Sequence, residues 1–303
     1  MLRSLLLYLS EREFPKRLLT RHALGRRLAA RFIAGEELED ALLAVRRLNA
    51  EGFAATLDYL GESVHDAGTA QEACQVYLTL LDRLAAERLN SHVSIKLTQL
   101  GLAIDEGLAC RNLAKICERA ARYHNFARVD MEGSAFTEAT LRVFRAVNAP
   151  RDVLGIAIQS YLHRSEKDVE DLRNCGVRVR LVKGAYKEPP EIAFPRKADV
   201  DRNFQHLTEL LLASGAYHAI ATHDERLIFA AQEFARRQRL SRDSFEFQLL
   251  YGIRRQLQRD LLRQGWRVRI YVPYGRQWYP YFMRRLAERP ANLLFLIRNV
   301  FRR

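Results

Sequence analysis

The sequence predicts an α/β protein built as a (βα)8, TIM-like barrel with an N-terminal helical extension. Eight short β-prone runs recur with helical stretches between them, at 53–58, 93–97, 126–131, 153–159, 177–183, 218–222, 245–250 and 267–272. Strands joined through helices run parallel, with right-handed crossovers. The length of 303 residues accommodates the roughly 250 that such a barrel takes, with a modest surplus. No Pro/Gly/Ser-rich linker divides the series, so residues 47–303 are assigned to one catalytic barrel and 1–46 to the extension.

The extension alternates arginine with leucine and alanine at helical spacing, as at Leu24, Leu28, Phe32 and Ile33. Its Leu5–Leu9 patch follows Arg3 but runs straight into Glu11, Arg12 and Glu13, which reads as a helix face rather than a signal peptide. Along each strand, side chains alternate between two faces. Val93, Ile95 and Leu97 oppose Ser94 and Lys96; Val129 and Met131 oppose Arg128, Asp130 and Glu132. Leu154, Ile156 and Ile158 oppose Gly155, Ala157 and Gln159, and Val177, Val179 and Leu181 oppose Arg178 and Arg180. Phe245, Phe247 and Leu249 oppose Glu246, Gln248 and Leu250, and Val268, Ile270 and Val272 oppose Arg269 and Tyr271. The outer face of a barrel packs on helices, so the apolar set points outward and the polar set into the lumen.

Such a lumen is unusually charged, because barrel interiors are ordinarily filled by branched apolar residues. Lys96, Asp130, Gln159, Arg180 and Tyr271 fall toward the C-terminal ends of their strands, where barrel enzymes place their chemistry. The bland alternative is an internal salt-bridge network, such as Lys96 with Asp130. Contributions from so many strands favour a polar active site.

Composition excludes several classes. A hydrophobic share of 48% beside 28% charged residues describes a folded globular chain rather than a disordered one. No apolar run approaches the ~20 residues of a bilayer-spanning helix. Cys74, Cys110, Cys117 and Cys175 form no C-x-x-C pair, so neither a zinc site nor a disulfide framework is signalled, and a reducing cytoplasm is expected. The net charge of +13 owes much to arginine between Arg254 and Arg303, opposed only by Asp260 and Glu288. That excess suits a solvated basic face or an anionic membrane surface. No nucleic-acid-binding motif accompanies it, so no nucleic-acid partner is expected.

Several strings carry a family resemblance. RLVKGAY at 180–186, YGIR at 251–254 and RIYVPYG at 269–275 stand in order with SIKLTQLG at 94–101, VDMEGS at 129–134 and ATHD at 221–224. WYPYFMRRLAE at 278–288 completes them, on what should be the final barrel helix. Together they resemble the proline dehydrogenases, both monofunctional enzymes and the barrel of the bifunctional proline utilization flavoenzyme. The resemblance implies oxidation of L-proline to Δ1-pyrroline-5-carboxylate by hydride transfer to N5 of FAD, with a quinone reoxidising the flavin.

Carried over position by position, the resemblance makes Arg284 and Arg285 a clamp for proline's carboxylate, a task suited to planar, permanently charged guanidinium groups. Lys96 adds a third cation, and Asp130 is expected to hold Lys96 or Arg285. Leu250, Tyr271 and Tyr281 would wall the ring. Arg180 falls beside the flavin N5, and Asp130 and Arg180 are the catalytic pair. Gln159 and the backbone at Met131 would meet the flavin ring, and Lys183, Gly184 and Ala185 the cofactor's chain and phosphates. Thr222, His223 and Glu288 are further FAD positions; without the resemblance, His223 reads as a hydrogen-bonded structural histidine and Glu288 as a partner of Arg284 or Arg285. Trp278 and Tyr279 read equally as core or lid.

Lys187 stands where many bifunctional relatives have tryptophan, which leaves aromatic packing near the adenine in doubt. The chain is too short for an added aldehyde dehydrogenase domain or DNA-binding module, so it is expected to act as a monofunctional enzyme. It would hand its product to a separate pyrroline-5-carboxylate dehydrogenase, working in the cytoplasm at the inner face of the cell membrane. The rival readings are another flavin barrel, acting on a different cyclic amino acid or a folate, and a non-catalytic basic barrel that binds membrane or nucleic acid.

Overall fold

The computed structural model describes residues 29–288, apart from the side chains of Ala287 and Glu288. Its centre is a closed barrel of eight parallel strands in sequence order. They are β1 (Ala54–Tyr59), β2 (Ser91–Ile95), β3 (Ala127–Val129), β4 (Leu154–Gln159), β5 (Val179–Val182), β6 (Ala219–Ala221), β7 (Glu246–Leu250) and β8 (Arg267–Tyr274). Each expected run contains or overlaps a strand. The interleaved helices are α2 (Ala67–Ala86), α3 (Glu106–Arg122), α4 (Ser134–Ala146), α5 (Ser165–Asn174), α6 (Lys197–Leu212), α7 (Glu225–Arg237) and α8 (Arg255–Arg263). An additional α1 (Leu38–Ala50) precedes the first strand and α9 (Trp278–Glu288) follows the last.

Three of the helices start where aspartates satisfy orphan amides: Asp66 accepts from Thr69 N–H, Asp105 from Leu108 N–H and Asp224 from Arg226 N–H. Strand parity sorts the rest. Leu57, Val93, Ile95, Val129, Ile156, Leu181, Ile220, Phe247 and Ile270 pack in one core with the inward faces of the helices. The register carries Asp58 beside Ser94, Ser94 beside Arg128, Ala157 beside Arg180, and Gln248 beside Arg269. The inward face is thereby matched from strand to strand, with the small residues Gly155, Ala157 and Ala219 set between the long polar ones.

The two end helices exchange the places expected of them. Ala41, Leu42, Val45 and Leu48 of α1 belong to the main core, so α1 covers the barrel wall and a division at residue 46 falls inside it. In contrast, α9 packs in a separate cluster with Leu60, at the C-terminal end of β1, and with Ala29, Phe32 and Ile33. It therefore lies over the C-terminal mouth rather than on the wall, and its arginines reach the mouth. Trp278 and Tyr279 are core in this cluster, and Trp278 Nε1 donates to Glu36 at 2.9 Å. Segment 1–28 of the extension, with Leu24 and Leu28, lies outside the described residues.

Candidate active site

The lumen has two charged tiers. In the lower one, Arg269 Nε donates to both Glu246 oxygens at 2.9 and 3.0 Å, and its Nη1 to the Ala55 carbonyl at 2.7 Å. Gln248 Nε2 and Tyr217 Oη donate to the same carboxylate. Burial works to raise the Glu246 pKa, but Arg269 outweighs it and holds the group below the ordinary glutamate value. Arg128 donates to the Arg178 carbonyl at 3.0 Å and lies over the Phe126 ring.

The upper tier lies at the C-terminal strand ends. Arg180 Nη1 donates to Asp130 Oδ1 at 2.5 Å and its Nη2 to Ser94 Oγ at 2.9 Å, while Tyr271 Oη donates to Asp130 Oδ2 at 2.8 Å. The Arg180 guanidinium also stacks over the Tyr271 ring at 5.3 Å. Burial pushes the Asp130 carboxyl above the ordinary aspartate value against the pull of Arg180 and Lys96. Side chains from β2, β5, β8 and the residue after β3 thus form one hydrogen-bonded network around Arg180 and Asp130.

Lys96 departs from expectation. Its ammonium donates to Asp58 Oδ1 and Oδ2 at 2.7 and 2.9 Å, not to Asp130. Arg180 Nη1 and the Tyr271 phenol already take one oxygen each of Asp130, and Asp58 is the lumen-facing neighbour of Ser94 on the adjacent strand. Burial disfavours charge on Lys96, yet Asp58, Asp130 and Glu62 outweigh it and raise its pKa above the ordinary lysine value. Asp58 was legible in principle, being two residues from Thr56 on the polar side of run 53–58.

Arg284 reaches the mouth from α9 and forms an ion pair with Glu62 of the β1–α2 loop. Burial works against its charge, but Glu62, Tyr186 and Asp58 raise its pKa above the ordinary arginine value. Nothing local to either residue announces this pair, since it exists only because α9 lies over the mouth. Tyr186 faces the same space: burial, then Glu62 and Glu132, raise its phenol pKa. The Arg285 guanidinium lies over the buried Tyr281 ring, 5.1 Å from its centroid, and Asp130 is bonded to Arg180 rather than to Arg285.

The expected cofactor positions surround the other half of the rim. Gln159 Nε2 donates to the Glu132 carbonyl at 2.9 Å beside buried Met131. Among the described residues, the buried Arg180 Nε and Ser160 Oγ have no hydrogen-bond partner. Lys183 donates to Asp201 at 2.6 Å and Asp224 at 3.1 Å. Gly184 has φ +114, and a Cβ there would come within 2.2 Å of the Tyr161 ring, so Tyr161 is what demands glycine; Ala185 follows it, half-buried. Thr222 is buried and accepts the Asp224 amide at 3.1 Å. His223 Nε2 accepts the Leu250 N–H at 3.0 Å, which leaves that nitrogen unprotonated and ties Leu250 to the rim. The Glu288 side chain lies outside the described residues.

Cationic side chains and a buried guanidinium thus gather at one end of the barrel, an arrangement chemically suited to an anion-bearing solute. Comparison with known proteins agrees on the lineage. Residues 41–298 match the family described as Proline dehydrogenase. Proline dehydrogenase 2 of Bacillus subtilis is 39% identical over 298 residues, covering 98% of both chains. Proline dehydrogenase of Deinococcus radiodurans is 41% identical over 280 residues, covering 91% of this chain and 90% of that one. Proline utilization A from Bdellovibrio bacteriovorus, solved after inactivation by N-propargylglycine, superposes with a TM-score of 0.83 at 27% identity over 92% of this chain. The chain spans 34% of that larger protein. By the span of the family match and the near-complete coverage of both bacterial relatives, the chain belongs to the proline dehydrogenase family.

Proposed function

We propose that the protein oxidises L-proline to Δ1-pyrroline-5-carboxylate, using FAD as the hydride acceptor and a membrane quinone as the final oxidant. The observation that carries this reading is the mouth itself: Arg284, paired with Glu62, and Lys96, paired with Asp58, bring two cations to the same end of the barrel as a buried Arg180–Asp130–Tyr271 unit. Arg284 and Arg285 would bind the proline carboxylate, with Lys96 adding charge. To do so Arg284 shares or exchanges its Glu62 partner for the substrate. Tyr271, Leu250 and Tyr281 would confine the ring. Asp130 holds the Arg180 fork in one orientation.

The residues present fit a flavin. Buried Arg180 Nε and Ser160 Oγ lack partners among the described residues, and a buried donor of this kind is satisfied by an acceptor on a bound ring. Gln159, Met131, Thr222, His223, Lys183, Gly184, Ala185 and Glu288 would hold the group. Bound there, FAD supplies the two-electron acceptor. Arg180, aimed at it, would favour negative charge developing on the ring. The purified protein should be yellow and should bleach on addition of L-proline without oxygen; a colourless protein, or colour indifferent to proline, overturns the reading.

No helix among the described residues is long and apolar enough to cross a membrane. The net charge of +13 supports reversible contact with anionic lipid at the inner face of the cell membrane, where quinone is available. The product would pass to a separate pyrroline-5-carboxylate dehydrogenase. Binding to anionic vesicles should weaken with added salt; salt-independent partitioning would remove the electrostatic account.

A further inference from the structure

We propose that Glu132 is a positioning residue for the carboxylate clamp: through Thr98 it fixes the β1–α2 loop that carries Glu62, and so sets Arg284. The proposal rests on the reading of Arg284 as the clamp. Glu132 is 4% exposed and lies three residues beyond the end of β3. Its Oε1 accepts the Thr98 N–H at 3.1 Å, and its Oε2 accepts the Thr98 hydroxyl at 2.5 Å.

A hydroxyl has one proton to donate. Because Thr98 gives it to Glu132, its Oγ1 lone pairs face the Ser63 N–H, which donates at 3.0 Å. The Thr98 carbonyl also accepts the Val64 N–H at 3.3 Å. Thr98 therefore holds the two amides that directly follow Glu62. Ser63 has φ +52, a left-handed conformation that a non-glycine residue keeps only where surrounding contacts impose it. The next link is the Glu62–Arg284 ion pair. A connected path thus runs from the end of β3, across the end of β2 and the β1–α2 loop, to α9.

The titratable groups coupled electrostatically to Glu132 are Lys96 from the end of β2, Glu62 from the β1–α2 loop and Tyr186 from the β5–α6 loop. Burial pushes its pKa up to about 7, with the Thr98 hydrogen bonds and Lys96 pulling down and Glu62 adding to the rise. Once protonated, one carboxyl oxygen becomes a donor and stops accepting from Thr98. The hydroxyl can then turn, and the loop loses its anchor. A loose loop leaves Arg284 less pre-organised, which weakens binding of the substrate carboxylate.

The test uses the flavin-loaded enzyme and L-proline. Glu132→Gln and Thr98→Val should each raise KM about five-fold or more, the scale of coupling between bonded neighbours, while kcat stays nearly unchanged. Thr98→Ser, which keeps the hydroxyl, should behave as the parent. Glu132→Gln added to Glu62→Gln should raise KM no further. The parent KM should fall as pH rises through about 7, and Glu132→Gln should lack that step. An unchanged KM, an equal fall in kcat, or a full Glu132 effect in the Glu62→Gln background overturns the proposal; so does Thr98→Ser behaving like Thr98→Val. If Glu132→Gln does not fold, the Thr98→Val and Thr98→Ser pair decides. Arg284→Met separates the two readings. An unchanged KM there removes the clamp itself, whereas a raised KM there beside an unaffected Glu132→Gln removes only the positioning role.

Discussion

The lower lumen and the mouth hold similar ion pairs in different settings. Below, Glu246 takes donors from Arg269, Gln248 and Tyr217, and the Arg269 and Glu246 side chains are 7% and 2% exposed. At the mouth, the Arg284 and Glu62 side chains are 21% and 30% exposed. The first carboxylate is saturated by its own chain; the second pair is open enough that, on the proposed reading, Arg284 would share or exchange Glu62 for the substrate carboxylate. Arg180–Asp130 stands between them, almost as buried as the lower tier yet with Arg180 Nε left without a hydrogen-bond partner among the described residues. The same residue types are therefore fixed in packing where they are enclosed and, on the proposed reading, available for binding where they reach solvent.

The most damaging change should fall in the lower tier. Arg269→Met leaves the Glu246 charge buried without its bonded arginine, which should cost about 3–5 kcal/mol, read as a shift in urea unfolding. A loss below about 1 kcal/mol would erase the distinction between the tiers. Next, Arg180→Met should lower kcat on the order of 10²–10³-fold, the scale for removing one pre-organised donor, measured by proline-dependent flavin reduction. A kcat close to that of the parent would place Arg180 with the structural pairs.

Glu132 sharpens the comparison through pH. In the folded chain its pKa is about 7, against an ordinary 4.5, so the folded state holds that proton more tightly. The associated stability is complete below about pH 4.5 and is lost as pH rises through about 7, roughly 3 kcal/mol in all. Relative to the parent, Glu132→Gln should therefore gain up to about 3 kcal/mol of stability between about pH 5 and pH 8. Parallel pH curves for the two proteins would show that Glu132 titrates normally. The smallest effect is expected at the rim. Lys183→Met removes ion pairs with Asp201 and Asp224 whose lysine is 25% exposed, so apoprotein stability should drop by less than about 1 kcal/mol. Flavin retention on dilution should suffer more; equal retention would remove Lys183 from the cofactor set.

Local pattern made much of this readable. Alternation along the strands placed Lys96, Asp130, Arg180, Arg269 and Tyr271 on one face, and that face needs no tertiary information because the side-chain period is two. Asp58 obeyed the same parity and could have been read with them. Glu62 could not, since it lies in a loop whose importance comes from a helix more than 200 residues away. The Lys96–Asp130 pairing failed for a related reason: register sets which residues are neighbours, but competition among donors sets which of them bond.

By itself, the sequence determined the strand count, the polar lining and the family, because hydrophobic periodicity and ordered motifs are properties of short windows of chain. Only the tertiary structure decided that α1 covers the wall while α9 lies over the mouth, that Lys96 bonds Asp58, and that Glu62 meets Arg284. Those outcomes depend on burying one helix face at the expense of another and on matching a few charges in a closed space. Both are decided by all the elements at once.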